Sequence, residues 1–223
     1  MPETNLKQTL ELQNKSPDCS GIITRLLRQV DKNGIEIHTK EDSVKYLLRI
    51  LDAENNFSKP KIDAHWLQEH ESLPYFDPKP NVISFTEATF SGIKIHRDIF
   101  KCNYGISFKR EFILEKDGSP CIIIPEGRYY SGTKNEEGKL HWLFHSIPDQ
   151  IKPFLSIIRK PTAFHDGYDI SHEREWRIAG DLHFKIEDVF IIFCPQEDFP
   201  IFMKAQDNGI PILFDLKWLD LIC

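Results

Sequence analysis

A chain of 223 residues can bury a substantial core, and 40% apolar residues with 12% aromatic ones are typical of a folded globular protein. The formal net charge of −6 excludes a global basic field for holding nucleic-acid phosphates, so any nucleic-acid contact must be local. The five cysteines include no Cys-x-x-Cys pair, which argues against a zinc knuckle and against a disulfide framework.

Two segments are predicted, a polar arm over residues 1–19 and one domain over residues 20–223. The N-terminal sequence MPETNLKQTLELQ lacks the apolar region of a signal peptide, and no stretch approaches the ~18 apolar residues that a membrane span needs. The scattered cysteines fit a reducing compartment. We therefore expect a cytoplasmic protein with no membrane partner.

The first part of the domain contains a clear helix and a long connection. Residues 20–27 are compatible with either a strand or the start of a helix. Further on, Thr39 precedes Asp42 by three residues in a capping pattern, and apolar residues then recur at helical spacing at Val44, Leu47, Leu48 and Leu51. Residues 55–80 hold four prolines among charged residues, which predicts an irregular connection that serves as a lid or binding loop.

From residue 82 onward short strands dominate the predicted structure. The segments rich in β-branched and aromatic residues are 82–86, 104–108, 121–124 and 189–193. Helices are predicted over 145–158, weakened by Pro153, and over 199–207, ended by Asn208-Gly209, before a last strand at 210–214. The irregular mixture predicts an α+β single domain with mainly antiparallel sheets around a cleft.

Two carboxylates in the segment SHEREWRI are candidates for chemistry. If residues 174–178 form a strand, Glu173 and Glu175 project from the same side, whereas Arg174 and Trp176 project from the other. Converging carboxylates can stabilise a developing positive charge, as in glycosyl chemistry. The alternative is an ordinary solvated charge run at the start of a strand.

Three separated motifs, taken in order, resemble those of the AbiGi-type abortive-infection proteins. They are Ser84-Phe85-Thr86-Glu87, Tyr104-Gly105-Ile106-Ser107-Phe108 followed by Gly118-Ser119-Pro120, and Glu173-Arg174-Glu175-Trp176-Arg177. The resemblance covers roughly residues 20–215. The motifs are also similar to those of the wider ADP-ribosyltransferase group, which includes the DNA-modifying DarT toxins and spaces an Arg or His, a Ser/Thr strand and a late Glu in this way.

The resemblance implies an ADP-ribosyltransferase-like fold, NAD as the cofactor, and roles for particular residues. Glu175 corresponds to the catalytic glutamate, which binds a ribose hydroxyl of NAD, and Glu173 is its upstream partner. Many relatives carry His-Phe-Thr where this chain has Ile23-Thr24, so Thr24 and Arg25 would line the NAD site and Arg25 would bind the pyrophosphate.

The middle motifs supply the remaining expected NAD contacts. Ser84 and Thr86 alternate onto one side of their strand and would position the nicotinamide ribose, while Phe85, Tyr104 or Tyr168 would stack on a ring. For each of these aromatic residues core packing is the alternative role.

The resemblance therefore predicts an NAD-dependent toxin or effector of bacterial anti-phage defence that modifies nucleic acid or protein. A non-catalytic antitoxin, or another partner-binding module of a defence system, is the alternative. A metal-dependent nuclease is a second alternative, based on the run of His165, Asp166, Asp169, His172, Glu173 and Glu175. A local basic rim for RNA or DNA could come from Lys109, Arg110, Arg128, Arg159 and Lys160.

Overall fold

The computed structural model describes residues 20–31, 33–67, 79–125, 147–158, 174–206 and 211–221. The fold is mixed α/β with a mainly antiparallel sheet, as the sequence predicts. The chain divides into two compact units. The described residues of the first unit lie within 20–62, 85–115 and 183–221, and those of the second lie within 63–84 and 116–182.

The strands, in chain order, are β1 (Ile22–Leu27), β2 (Lys61–Ile62), β3 (His65–Trp66), β4 (Asn81–Thr86), β5 (Tyr104–Lys109), β6 (Ser119–Pro120), β7 (Ile122–Pro125), β8 (Leu155–Ile158), β9 (Glu175–Ala179), β10 (Leu182–His183), β11 (Val189–Phe193) and β12 (Ile212–Phe214). The α-helices are α1 (Lys40–Ile50), α2 (Phe90–Phe100), α3 (Arg110–Glu115) and α4 (Phe199–Phe202). Among the predicted strands, 82–86, 104–108, 121–124 and 189–193 are confirmed as β4, β5, β7 and β11, with small shifts of their ends.

In the first unit, β5 lies between β1 and β11 and pairs antiparallel with both, while β12 adds to β11 in parallel. Thr24 of β1 opposes Ser107 of β5 and, on its other side, Thr86 at the end of β4. The segment 20–27, for which strand and helix were both open, is therefore a strand, and its β-branched residues pack on a sheet.

Helix α1 confirms the predicted capping pattern. The Thr39 hydroxyl accepts a hydrogen bond from the Asp42 backbone N–H, and the Asp42 carboxylate accepts one from the Thr39 backbone N–H. These two bonds satisfy amide groups that the first turn of a helix leaves open. Leu47 and Ile50 are buried where the helix packs against β5.

Helices α2 and α3 were not predicted. The Thr89 hydroxyl caps α2 by accepting from the Gly92 N–H, but Gly92 and the β-branched residues of FSGIKIHRDIF obscure the helical signal. Helix α2 packs against the 3-10 helix Leu216–Leu221. Together they contribute to a hydrophobic cluster formed by Ala88, Ile93, Ile191, Phe193, Leu216 and Leu219.

The predicted helix over 199–207 is shorter and broken. Helix α4 has Pro200 within its first turn, which suits a helix start, and it passes at Met203–Ala205 into a 3-10 helix. The predicted stop at Asn208-Gly209 lies outside the described residues. The last predicted strand is observed as β12, although Ile210 is also outside the described part of the chain.

The second unit contains β3 paired antiparallel with β4, β6 paired antiparallel with β9, and β7 paired in parallel with β8. The chain passes from the second unit into the first within β4, between Ser84 and Phe85. The connection predicted over 55–80 is not wholly irregular, because it includes β2 and β3, while residues 68–78 are outside the described part.

The helix predicted over 145–158 is wrong over its described part. Residues Lys152–Phe154 form one 3-10 turn and Leu155–Ile158 form β8, while residues 145 and 146 lie outside the described residues. Pro153 cannot donate a helical hydrogen bond, and the β-branched Ile157 and Ile158 pair with β7.

Candidate functional site

Glu175 occupies the first position of β9, in the second unit. The chain enters this strand through Arg174, which is exposed and has a φ of 46°, a value in the left-handed region. Because side chains alternate along a strand, Glu175 and Arg177 share one side while Trp176 and Ile178 occupy the other, and all four are buried. The predicted strand is thus confirmed.

Glu175 and Arg177 form a bidentate ion pair along this side of the strand. The Nε of Arg177 donates to Oε1 of Glu175 at 2.8 Å, and Nη2 donates to Oε2 at 3.0 Å. The side chains are 1% exposed for Arg177 and 9% for Glu175. Forked hydrogen bonds between two charged groups are among the strongest that proteins form, and they hold both side chains in one orientation.

The guanidinium of Arg177 is also anchored from its other end. Nη1 donates to the backbone carbonyl of Leu155 at 2.8 Å and to that of Pro153 at 3.1 Å. A buried cation is stable only when it is paired and hydrogen-bonded, and these contacts meet that requirement. Arg177 was not predicted as a site residue, although its spacing of two from Glu175 already places both on one side of a strand.

Ser84 is the predicted site residue that the structure brings to Glu175. Its hydroxyl donates to Oε1 of Glu175 at 2.7 Å, across 91 positions of sequence. Both residues belong to the second unit. A serine of the middle motif and the glutamate of the late motif therefore meet.

Cys121 completes the surroundings of the carboxylate. Its backbone N–H donates to the carbonyl of Glu175 at 2.8 Å. Burial, together with the nearby Glu175 carboxylate and against the opposing effect of Arg177, raises the pKa of its thiol to about 12. The thiol therefore stays protonated at neutral pH and acts as a weak hydrogen-bond donor to Glu175 rather than as a nucleophile. Sequence reasoning did not single out this cysteine.

Thr24 lies in a row of hydroxyl groups inside the first unit. Thr24 and Ser107 are both 0% exposed, and Thr86 is 8% exposed. Within the described part of the chain neither Oγ1 of Thr24 nor Oγ of Ser107 has a hydrogen-bond partner. The predicted NAD contacts of Thr24 and Thr86 would therefore require a ligand to reach buried atoms.

Arg25, Phe85 and Tyr104 point away from that row. Arg25 follows Thr24 on β1 and opposes Ile106, so it projects from the other face of the sheet, together with Tyr104, which opposes Leu27. Thr24 and Arg25, predicted to share one NAD site, thus lie on opposite faces of β1. Arg25 itself is half-buried.

Two of the three aromatic residues predicted to stack on a ring of NAD, Phe85 and Tyr104, are core residues in this structure. Phe85 is 4% exposed, and its ring packs edge to face on Phe108 with 6.1 Å between centroids. Tyr104 is 1% exposed, and its hydroxyl donates to Asp198. Both rings therefore have the alternative role, which is packing in the core, where burial of apolar surface is favourable.

Glu87 and Arg110 form a second buried ion pair, in the first unit. The guanidinium of Arg110 binds Glu87 and the backbone carbonyl of Ser20, and the two side chains are 5% and 6% exposed. Arg110 therefore does not belong to an exposed basic rim. Glu87, the last residue of the Ser-Phe-Thr-Glu motif, thus joins the end of β4 to the residues beside β1.

Several predicted residues lie outside the described part of the chain. These are Glu173, Tyr168, Arg128, Arg159, Lys160 and the histidines and aspartates of the proposed metal run. Among the described residues, no three His, Cys, Asp or Glu side chains are grouped to hold a metal ion. In the same part of the chain no helix is both long and apolar enough to span a membrane.

Comparisons with protein-family models, with curated proteins and with solved structures gave no match for this chain.

Proposed function

We propose that the protein is an NAD-dependent ADP-ribosyltransferase that acts as a toxin or effector in bacterial anti-phage defence. Its acceptor is nucleic acid or protein. The proposal combines the order of the three sequence motifs with the surroundings of Glu175, and Glu175 is the carboxylate that carries the chemistry.

The hydrogen bond from Ser84 to Glu175 is the observation that carries the proposal. The family resemblance implies that a hydroxyl of the middle motif and the late glutamate serve the same ligand, and here Oγ of Ser84 and Oε1 of Glu175 are 2.7 Å apart. A solvated charge run would leave Glu175 exposed, whereas this carboxylate is buried and is bound by Arg177 of its own strand and by Ser84 of another segment.

When bound, NAD supplies a ribose whose bond to nicotinamide breaks, so that positive charge develops on the ribose. The carboxylate of Glu175 stabilises that charge and binds a ribose hydroxyl, and the acceptor nucleophile takes the position that nicotinamide leaves. Ser84 and Arg177 hold the carboxylate in place before the reaction, which avoids the cost of orienting it in the transition state.

The hydrogen-bonding capacity of Glu175 supports the proposal, because it leaves a position for a substrate hydroxyl. A carboxylate offers about four lone-pair positions. Ser84 and the two nitrogens of Arg177 use three of them, and within the described part of the chain the Cys121 thiol is a further neighbour. Because a thiol is a weak donor, a ribose hydroxyl replaces it at little cost. Of the other predicted NAD contacts, Arg25 is half-buried, whereas Thr24, Phe85, Thr86 and Tyr104 are buried.

The substitution Glu175→Gln tests the proposal. It keeps the shape of the side chain and removes its charge, so nicotinamide release from NAD is expected to fall by a factor of ~100 or more while the protein stays folded. The matched control is Glu87→Gln, which also breaks a buried carboxylate–arginine pair, and its folded protein should keep the parent rate. Parent-like release by the Glu175 variant would exclude this mechanism.

The acceptor is found by incubating the protein with labelled NAD and, in turn, with RNA, single-stranded DNA and cell extract. A transferase labels one of these, and Glu175→Gln abolishes the label. Release of nicotinamide without any labelled macromolecule would restrict the activity to NAD hydrolysis.

A non-catalytic binding module is the second candidate, and the pair of Glu175 with Arg177 favours it. Each carboxylate oxygen already accepts from Arg177, so the pair can serve to join β9 to the residues around Leu155. A protein of this kind binds no NAD, and it associates tightly with the product of a neighbouring gene. NAD titration by calorimetry distinguishes the two candidates.

A further inference from the structure

The guanidinium of Arg177 donates four hydrogen bonds, and stability alone does not explain so many. A buried ion pair is on average no more stabilising than a well-packed apolar pair, because both charges lose their water. Yet Arg177 is 1% exposed and binds both oxygens of Glu175 as well as two backbone carbonyls. The arrangement suits a side chain that orients a neighbour.

Arg177 and Glu175 differ in their other contacts and in their exposure to solvent. The carbonyls of Pro153 and Leu155 fix the guanidinium from the side away from Glu175, so the arginine has little freedom of its own. The carboxylate is the more exposed member, at 9% against 1%. Of the two side chains, the carboxylate is therefore the one nearer to solvent.

We propose that Arg177 is the positioning residue of the reaction, which holds the Glu175 carboxylate in the one orientation that serves the ribose. This inference rests on the proposed function. Arg177 need not touch the substrate: it acts through Glu175, and Ser84 supports the same oxygen from another strand. The forked geometry is essential, because a lysine carries the charge on one nitrogen and cannot bind two carboxylate oxygens and two carbonyls at once.

The test compares Arg177→Lys with Arg97→Lys. Arg97 is a matched control: it is also buried, binds the carboxylates of Asp98 and Asp220, and donates to the carbonyl of Leu216. Both variants lose a similar set of hydrogen bonds, so both should lower the melting temperature. If Arg177 positions Glu175, its variant alone loses activity.

The expected result is a fall of at least 10-fold in kcat for Arg177→Lys with KM for NAD within threefold of the parent, while Arg97→Lys keeps both constants. A crystal structure of Arg177→Lys should show the Glu175 carboxylate turned away from Ser84. An active parent with an equally active Arg177→Lys overturns the positioning role and leaves the proposed function standing. A parent that releases no nicotinamide overturns the proposed function itself, and the positioning role with it.

Discussion

The hydroxyl of Tyr104 donates a 2.5 Å hydrogen bond to Oδ2 of Asp198 inside the first unit. Tyr104 is 1% exposed and Asp198 is 6% exposed. The same carboxylate oxygen lies 3.1 Å from Nζ of Lys40, whose side chain is 45% exposed. Because water screens the lysine, the tyrosine is the principal partner of the buried carboxylate. The bond joins β5 to the 3-10 helix Gln196–Asp198.

We predict that Tyr104→Phe lowers the free energy of unfolding by about 1.5–3 kcal/mol, since it leaves a buried carboxylate without its best donor. Urea unfolding measures this. The control is Tyr46→Phe, because the described residues supply no hydrogen-bond partner for the Tyr46 hydroxyl, and it should change stability by less than about 0.5 kcal/mol. Equal effects of the two substitutions would show that the Asp198 contact contributes nothing.

Stability is expected to decline in alkali because of two thiols, that of the buried Cys194 and that of the half-buried Cys121. Burial raises the pKa of Cys121 and of Cys194 from 9.0 to about 12, with the Asp198 carboxylate adding to the effect at Cys194. Above pH 9 the thiols of the unfolded chain release their protons while those of the folded protein retain them. Rising pH therefore stabilises the unfolded state relative to the folded one. Each thiol then costs up to about 1.4 kcal/mol per pH unit until pH reaches about 12.

Urea unfolding at pH 8, 9.5 and 11 under reducing conditions measures this decline. Replacing both Cys121 and Cys194 by serine should make the dependence on pH shallower. The decline should not vanish, because burial and the bond to Asp198 also raise the pKa of Tyr104 and act in the same direction. An identical slope in parent and double variant would mean that folding raises the pKa of neither thiol.

Gly105→Ala is expected to destabilise the protein by about 1–3 kcal/mol, because a methyl group overfills the sheet at this position. A Cβ there would lie 2.7 Å from the carbonyl oxygen of Arg25 and 2.9 Å from Cδ2 of Leu26, and backbone atoms cannot yield as a side chain does. Gly21→Ala is the control, since nothing lies within 4 Å of its added Cβ. Thermal unfolding should give the Gly105 variant a clearly lower melting temperature than the Gly21 variant. Equal melting temperatures would contradict the close packing of β1 on β5.

Arg25→Lys tests the remaining predicted NAD contact. If Arg25 grips the pyrophosphate, the point charge of lysine cannot reproduce the forked contact, and NAD affinity should fall by a factor of ~10. Calorimetric titration measures the change. Arg28→Lys is the control, because the Arg28 guanidinium lies over the Phe100 ring, 4.2 Å from its centroid. Unchanged affinity in the Arg25 variant would remove this residue from the site.

The sequence predicted those helices and strands that are stabilised by interactions between residues close in the chain. The reciprocal hydrogen bonds of Thr39 and Asp42 span three residues, so the start of α1 could be read directly. Alternation with a period of two likewise placed Glu175 on one side of its strand. Helix α2 was missed because packing against the C-terminal 3-10 helix outweighs the weak helical propensity of its residues.

The surroundings of Glu175 were only partly predictable. The family resemblance predicts that Ser84 and Glu175 both contact the ribose of NAD, and the period of two places Arg177 on the same side of its strand as Glu175. The pairing of β4 with β9 decided that the Ser84 hydroxyl reaches Oε1, and the backbone carbonyls of Pro153 and Leu155 decided how the buried guanidinium of Arg177 is held. Tertiary packing likewise buried Phe85 and Tyr104. A sequence specifies which side of a strand a residue takes, but the partners on that side come from distant segments, and they are set by the burial and hydrogen bonding of the whole fold.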